Sequence, residues 1–331
     1  ADETPAALTY RMAGNQGDAA GSKVTSFLVD NLDSGGTVDA SVLQGQLDIY
    51  TDSGAGSTAG TADDVNVITG SAETFIYSDA GEVSVDADKL LEDTLILEGS
   101  TVFDINQLNY NLDAAATTGT IVVDTDPVSG TDATSPAIII ETGTGTMTVN
   151  GDDSDDNDVS KLDIQIDATK LSDADLSEVD LLLNGDAEYL ITSSSELGEV
   201  TIDASGLTDK GQLNLSGTGD FRLVNTTEDV LAPNLSGRLT VETEGGVSTQ
   251  DITVTAGSGQ LGVKATDSVD TITVEAGNLV DDTTTYSPST YTPGVWELNA
   301  EGLGSVVVND LAADMNAATL QGLLEVSIAG G

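Results

Sequence analysis

Short runs of alternating apolar and polar residues recur along most of the chain. Gln46-Leu47-Asp48-Ile49-Tyr50, Thr94-Leu95-Ile96-Leu97, Thr120-Ile121-Val122-Val123, Gln212-Leu213-Asn214-Leu215, Arg238-Leu239-Thr240-Val241, Asp251-Ile252-Thr253-Val254 and Val306-Val307-Val308 are short and rich in β-branched residues. Gly, Ser, Thr, Asp and Asn separate them, so the period-two pattern reads as strands joined by turns. Helical spacing is rare. The stretch from Asp310 to Leu320, opening on an Asp cap, predicts one short helix, and Lys170 to Val179 predicts another.

An internal repeat organises these strands. Val38-Asp39-Ala40-Ser41-Val42-Leu43 returns as Val85-Asp86-Ala87-Asp88-Lys89-Leu90, Ile166-Asp167-Ala168-Thr169-Lys170-Leu171, Ile202-Asp203-Ala204-Ser205-Gly206-Leu207 and Val274-Glu275-Ala276-Gly277-Asn278-Leu279. The pattern is an apolar residue, an acid, Ala, two polar or small residues and Leu, with Val42 a departure from it. The alternating runs Leu95 to Gly99, Leu181 to Gly185 and Leu213 to Gly217 each follow a copy after a short polar gap. The expected mechanism is a corner: the acid bonds the backbone of the turn, Ala fits a crowded bend, and Leu points into the core and sets the next strand's register. The predicted fold is all-β, a β-solenoid or β-helix-like stack of short strands with few short helices. Composition divides the chain into residues 1–80, a β-rich region richer in Gly and Ala with a possible assembly or anchoring role, and residues 81–331, the repetitive solenoid-like body.

Charge narrows the function. The chain of 331 residues carries 57 Asp+Glu against 9 Lys+Arg, a formal net charge of -48, with no His and no Cys. Without His or Cys there is no Ser-His-Asp or Cys-His nucleophile, no zinc site of the usual ligand set and no disulfide. Nine scattered bases build no patch for a phosphate backbone, so nucleic acid is excluded as a partner. The longest apolar runs, such as Ala137-Ile138-Ile139-Ile140, fall far short of the ~18 residues of a membrane-spanning helix, so no membrane insertion is expected. The opening Ala1-Asp2-Glu3-Thr4-Pro5 lacks an initiator Met, as would a mature start left by signal cleavage or a trimmed chain.

So many acids on one body repel, by roughly 3–4 kcal/mol for a pair ~4.8 Å apart at an effective dielectric of about 20. Relief comes from spreading, from salt or from bound cations, and Ca²⁺, which takes six to eight oxygen ligands, is the expected ion. The best candidate site is Asp152, Asp153, Asp155, Asp156, Asn157 and Asp158, in the run Gly151 to Asp158. Asp153, Asp155 and Asn157 alternate as in the opening of an EF-hand loop, but Asp158 stands where that loop needs Gly and no Glu occupies its twelfth position. A looser Ca²⁺ loop and a solvated acidic turn both remain open. Asp63-Asp64, Asp124 with Asp126, and Asp281-Asp282 are weaker pairs. A Thr/Ser/Pro/Tyr segment from Val280 to Gly294, with Tyr286, Tyr291 and nearby Trp296, reads as a long loop. Carboxylates are too numerous for any pair to signal a glycosidase.

The runs Val200 to Val224 and Leu298 to Leu311 resemble the β-solenoid body of bacterial surface-layer and RTX-type secreted proteins, over roughly residues 80 to 331. The calcium-binding nonapeptide of that group, Gly-Gly-x-Gly-x-Asp, is absent, and Val67 to Asp79 and Ala265 to Val274 are its nearest relics. The resemblance implies a cell-surface location, self-assembly into a layer and dependence on Ca²⁺. The expectation is therefore an extracellular structural protein, not an enzyme, with other copies of itself and possibly a cell-surface polysaccharide as partners. An extracellular fibre or adhesin module binding surface glycans is the alternative, and a halophilic carbohydrate-active enzyme a further one.

Overall fold

The computed structural model describes residues 9–11, 27–32, 36–51, 65–79, 81–91, 94–127, 130, 136–152, 161–171, 179–194, 198–208, 212–245, 251–279 and 297–328. The chain divides into two compact units, Ala1–Ile166 and Asp167–Gly331. The strands of the first are β1 Thr9–Arg11, β2 Phe27–Leu32, β3 Thr37–Asp39, β4 Leu47–Thr51, β5 Val65–Ile68, β6 Thr74–Ser78, β7 Glu82–Asp86, β8 Leu95–Gly99, β9 Val102–Leu108, β10 Leu112–Thr117, β11 Ile121–Thr125, β12 Ile138–Glu141, β13 Met147–Gly151 and β14 Ile164–Asp167. Those of the second are β15 Leu181–Gly185, β16 Tyr189–Ser193, β17 Glu199–Leu207, β18 Leu213–Gly217, β19 Asp220–Thr226, β20 Val230–Leu235, β21 Leu239–Thr243, β22 Asp251–Thr255, β23 Leu261–Ala265, β24 Thr271–Glu275, β25 Leu298–Gly302, β26 Ser305–Leu311, β27 Met315–Leu320 and β28 Leu324–Ile328.

One rule holds within both units. Odd-numbered strands pair in parallel with the next odd strand, and even-numbered strands with the next even one. Each coil of chain therefore contributes one strand to each of two sheets, which is a β-solenoid. Alternation in the sequence becomes alternation in burial: in β6, Thr74, Ile76 and Ser78 are buried while Phe75 and Tyr77 face out. The inward columns are Val, Ile, Leu and Ala, many of them fully buried, with Phe103, Tyr189 and Phe221 the largest side chains inside. At ~25 cal/mol per Å² of apolar surface removed from water, this continuous column is the main stabilising term.

The repeated motif is a corner, as its residues predict. Asp39, Asp86, Asp167 and Asp203 each accept a bond through Oδ1 from the backbone N–H two residues on, at 3.2, 3.2, 3.0 and 2.9 Å. Asp113 does the same for Ala115, a copy the sequence comparison missed. The following Ala40, Ala87, Ala168, Ala204 and Ala276 are all fully buried. The N–H groups of Leu43, Leu90, Leu171 and Leu279 close the turn onto the carbonyl of the corner Ala, and these leucines are buried. The acid, not the apolar residue before it, ends the strand in β3, β7, β14 and β24; in β17 the strand runs on through Leu207. Corners on β10, β14 and β24 lie in even-numbered strands and the others in odd ones, and the copies are unequally spaced because coils of different length without the motif lie between them.

A second corner is made of glycine. Gly237 sits so close to the coil before it that a Cβ there would lie 1.9 Å from the carbonyl oxygen of Gly219, and Gly259 stands in the same relation to Gly237. Gly99 closes β8 with φ +112°, where a Cβ would meet the Ser78 carbonyl oxygen at 1.9 Å.

Two expectations need correction. No helix occurs among the described residues, and the stretch from Asp310 to Leu320 is the end of β26 and the whole of β27. Asp310 adopts φ +53°, which bends the chain, and β27 takes its backbone partners from β25, with Leu298 opposite Met315 and Asn299 opposite Asn316. Long-range pairing overrides the local helical preference of its alanines. The second expected helix falls largely on residues 172–178, outside the described residues; Lys170 and Leu171 belong to the turn after β14.

Candidate functional site

The acids are spread over the outward positions of the coils, and the structure answers many of them with neutral amides. Asn309 on β26 is the register partner of Glu275 on β24 and donates Nδ2 to Oε1 at 2.9 Å. Asn225 donates to Asp203 at 2.9 Å, and Asn150 donates to its register partner Asp124. Gln46 donates to Glu73 at 2.9 Å and Gln107 to Asp126 at 3.4 Å. An amide is a donor without net charge, so one coil's carboxylate is satisfied by the next without a cation.

Several of the described bases are paired too. Arg222 and Lys264 bracket Glu242 at 3.0 and 2.9 Å, on adjacent strands β19, β21 and β23. Partial burial pushes the Glu242 carboxyl up, but the hydrogen bonds and charges of Lys264 and Arg222 together outweigh it and hold the group below its ordinary 4.5. Arg238 reaches Glu199 at 2.8 Å and Asp220 at 3.6 Å. Buried Asp270 accepts from the Thr243 hydroxyl at 2.8 Å and the Asp267 N–H at 3.0 Å, and buried Asp180 accepts from the Thr201 N–H at 2.7 Å. These carboxylates hold the coil ends together.

Of the expected Ca²⁺ ligands, Asp152 is exposed and its N–H donates to the Thr125 hydroxyl at 3.2 Å. Asp153, Asp155, Asp156, Asn157 and Asp158 lie outside the described residues, as do Asp63, Asp64, Asp281, Asp282 and the aromatic loop with Tyr286, Tyr291 and Trp296. Among the described residues no group of three or more acids converges to hold a metal ion. No helix among them is long and apolar enough to cross a membrane.

Two surfaces stand out against this acidic, hydrogen-bonded exterior. The first is the coil of β27 and β28. Leu324 and Val326 continue the inward columns of Val306 and Val308, their register partners, which are fully buried. Yet Leu324 and Val326 are each 38% exposed, Ile328 is 78% exposed and neighbouring Leu323 is 65% exposed. Among the described residues no strand pairs with the outer edge of β27 or β28. From Met315 to Ile328 the one charged residue is Glu325. This is the last coil that the described residues build, and their inward columns stop there.

The second surface is a cluster of outward rings on the even-numbered sheet of the first unit, Tyr50 on β4 with Phe75 and Tyr77 on β6. Strand parity alone puts these rings outside, since Ile49 and Ile76 face in. No protein-family model, curated protein or solved structure matches this chain.

Proposed function

We propose that this chain is a structural subunit of an extracellular assembly, such as a surface layer, in which divalent ions such as Ca²⁺ bridge the acidic outer faces of neighbouring copies. The observation that supports this reading is a β-solenoid whose outward positions carry acids on a chain of net charge -48. Two copies approaching by their acidic outer faces repel, so side-by-side contact calls for divalent ions between carboxylates.

Dependence on the ion sets the test. Negative-stain microscopy is expected to show isolated particles in EDTA and layers or filaments when Ca²⁺ is added. Isolated single particles in both samples contradict the reading.

A further inference from the structure

We propose that the outer face of the even-numbered sheet in the first unit binds a neutral polysaccharide through Tyr50, Phe75 and Tyr77. Tyr50 and Tyr77 are register partners on adjacent strands, with ring centroids 6.1 Å apart and planes 33° apart. The Tyr50 and Phe75 centroids are 5.5 Å apart. The apolar character runs on to one neighbouring strand, where Ile96 on β8 is the register partner of Phe75; Leu28 on β2, 64% exposed, is set off from Phe75 by Asp48. Cross-strand stacking accounts for the rings touching one another. It does not account for three outward rings gathered on adjacent strands, which make the only ring contacts among the described residues, and such patches mark binding sites.

The rim defines the occupant. Asp48 stands between Leu28 and Phe75 in the register, and Glu98 is the register partner of Tyr77. Gln46 bridges Glu73 and Asp48 through its amide. A carboxylate only accepts, so this rim is complementary to a ligand whose edge is rich in O–H donors. A sugar ring has that edge, and its flat faces present C–H groups to the electron-rich face of an aromatic ring. Rungs ~4.8 Å apart repeat on the length scale of one sugar residue in an extended chain. A polyanion is repelled by the rim. A second copy of the chain would bring the same acids against themselves in a two-fold contact. The inference needs no bound cation and stands or falls apart from the assembly reading.

Affinity electrophoresis suits so acidic a chain, because a neutral polysaccharide cast into the gel has no mobility of its own. The full chain is run against neutral glucans, mannans and chitin-type polymers, against polyuronates, and against an immobilised oligolysine, at low and high salt. The expected result is retardation by at least one neutral polymer, unchanged by salt and weakened about tenfold or more in Tyr50→Ala/Tyr77→Ala. The single Tyr50→Ser variant, which leaves Phe75 and Tyr77 in place, keeps the test valid if the double variant fails to fold, and it is expected to weaken retardation in the same direction. No retardation by any neutral polymer overturns the proposal, as does retardation that survives loss of the rings. Binding to oligolysine alone, abolished by salt, also overturns it and assigns the face to a cationic partner.

Discussion

Asn309 lies directly across the rung from Glu275, and its amide donates a 2.9 Å hydrogen bond to that carboxylate. The pair shows one way a solenoid with 57 acids and 9 bases stacks its coils: an amide stands across from an acid where a second acid would repel, although Asp113 does face Glu141 and Glu199 faces Asp220. Asn309→Asp replaces the donor with a like charge. It is expected to lower unfolding free energy by about 1–2 kcal/mol, from the lost hydrogen bond and the new repulsion. Part of the loss returns in high salt, which screens partly exposed charges. Urea titration at two salt concentrations measures both effects, and a salt-independent loss would show that repulsion is not the cause.

The Asp-Ala-x-x-Leu corner separates a packing contribution from a hydrogen-bonding one. Leu90 is fully buried, while Asp86 accepts a single bond from the Asp88 N–H at 3.2 Å. Leu90→Ala is expected to destabilise by about 2–5 kcal/mol, and Asp86→Ala by about 1 kcal/mol. Equal losses in denaturant titrations would contradict the division of labour drawn here.

Gly237 leaves no room for a side chain, since the clash is with backbone of the preceding coil rather than with a movable group. Gly237→Ala is expected to cost well over about 1 kcal/mol, despite Ala being the better residue in an unconstrained chain. A neutral result in thermal unfolding would mean that the coils are not stacked this closely.

Glu242 gives a pH signature. Its carboxyl is held below 4.5, the ordinary value, in the folded chain. A depressed carboxyl contributes stability that is fully present above that ordinary value and is lost as pH falls through the lower folded one. The stability difference between the native chain and Glu242→Gln should therefore be flat from neutral pH down to about 5 and shrink below 4.5. The contribution is modest, because Arg222 and Lys264 keep much of their side chains in water. A difference that grows as the solution is acidified would reverse the assignment.

Much of the fold was legible in the sequence because one physical rule, inward and outward alternation, governs nearly every strand. The runs Leu95 to Gly99, Leu181 to Gly185 and Leu213 to Gly217 are β8, β15 and β18 to the residue, and the corner chemistry of Asp, Ala and Leu was readable from five copies. The stretch after Asp310 was misread because its alanines carry a local preference, whereas its strand comes from pairing with β25, seventeen residues away at Asn299 and Asn316. The amide–acid pairing was invisible for the same reason: Asn225 and Asp203 become neighbours only through the coil pitch. The ring cluster left a signal that could have been used, since Tyr50 and Tyr77 share the outward parity of their strands.

Cation-bridged assembly is tested most directly by sedimentation velocity of the native chain in EDTA and with added Ca²⁺. The account predicts a single slow species in EDTA and large assemblies with Ca²⁺ that the chelator reverses. Identical sedimentation in the two conditions would contradict it.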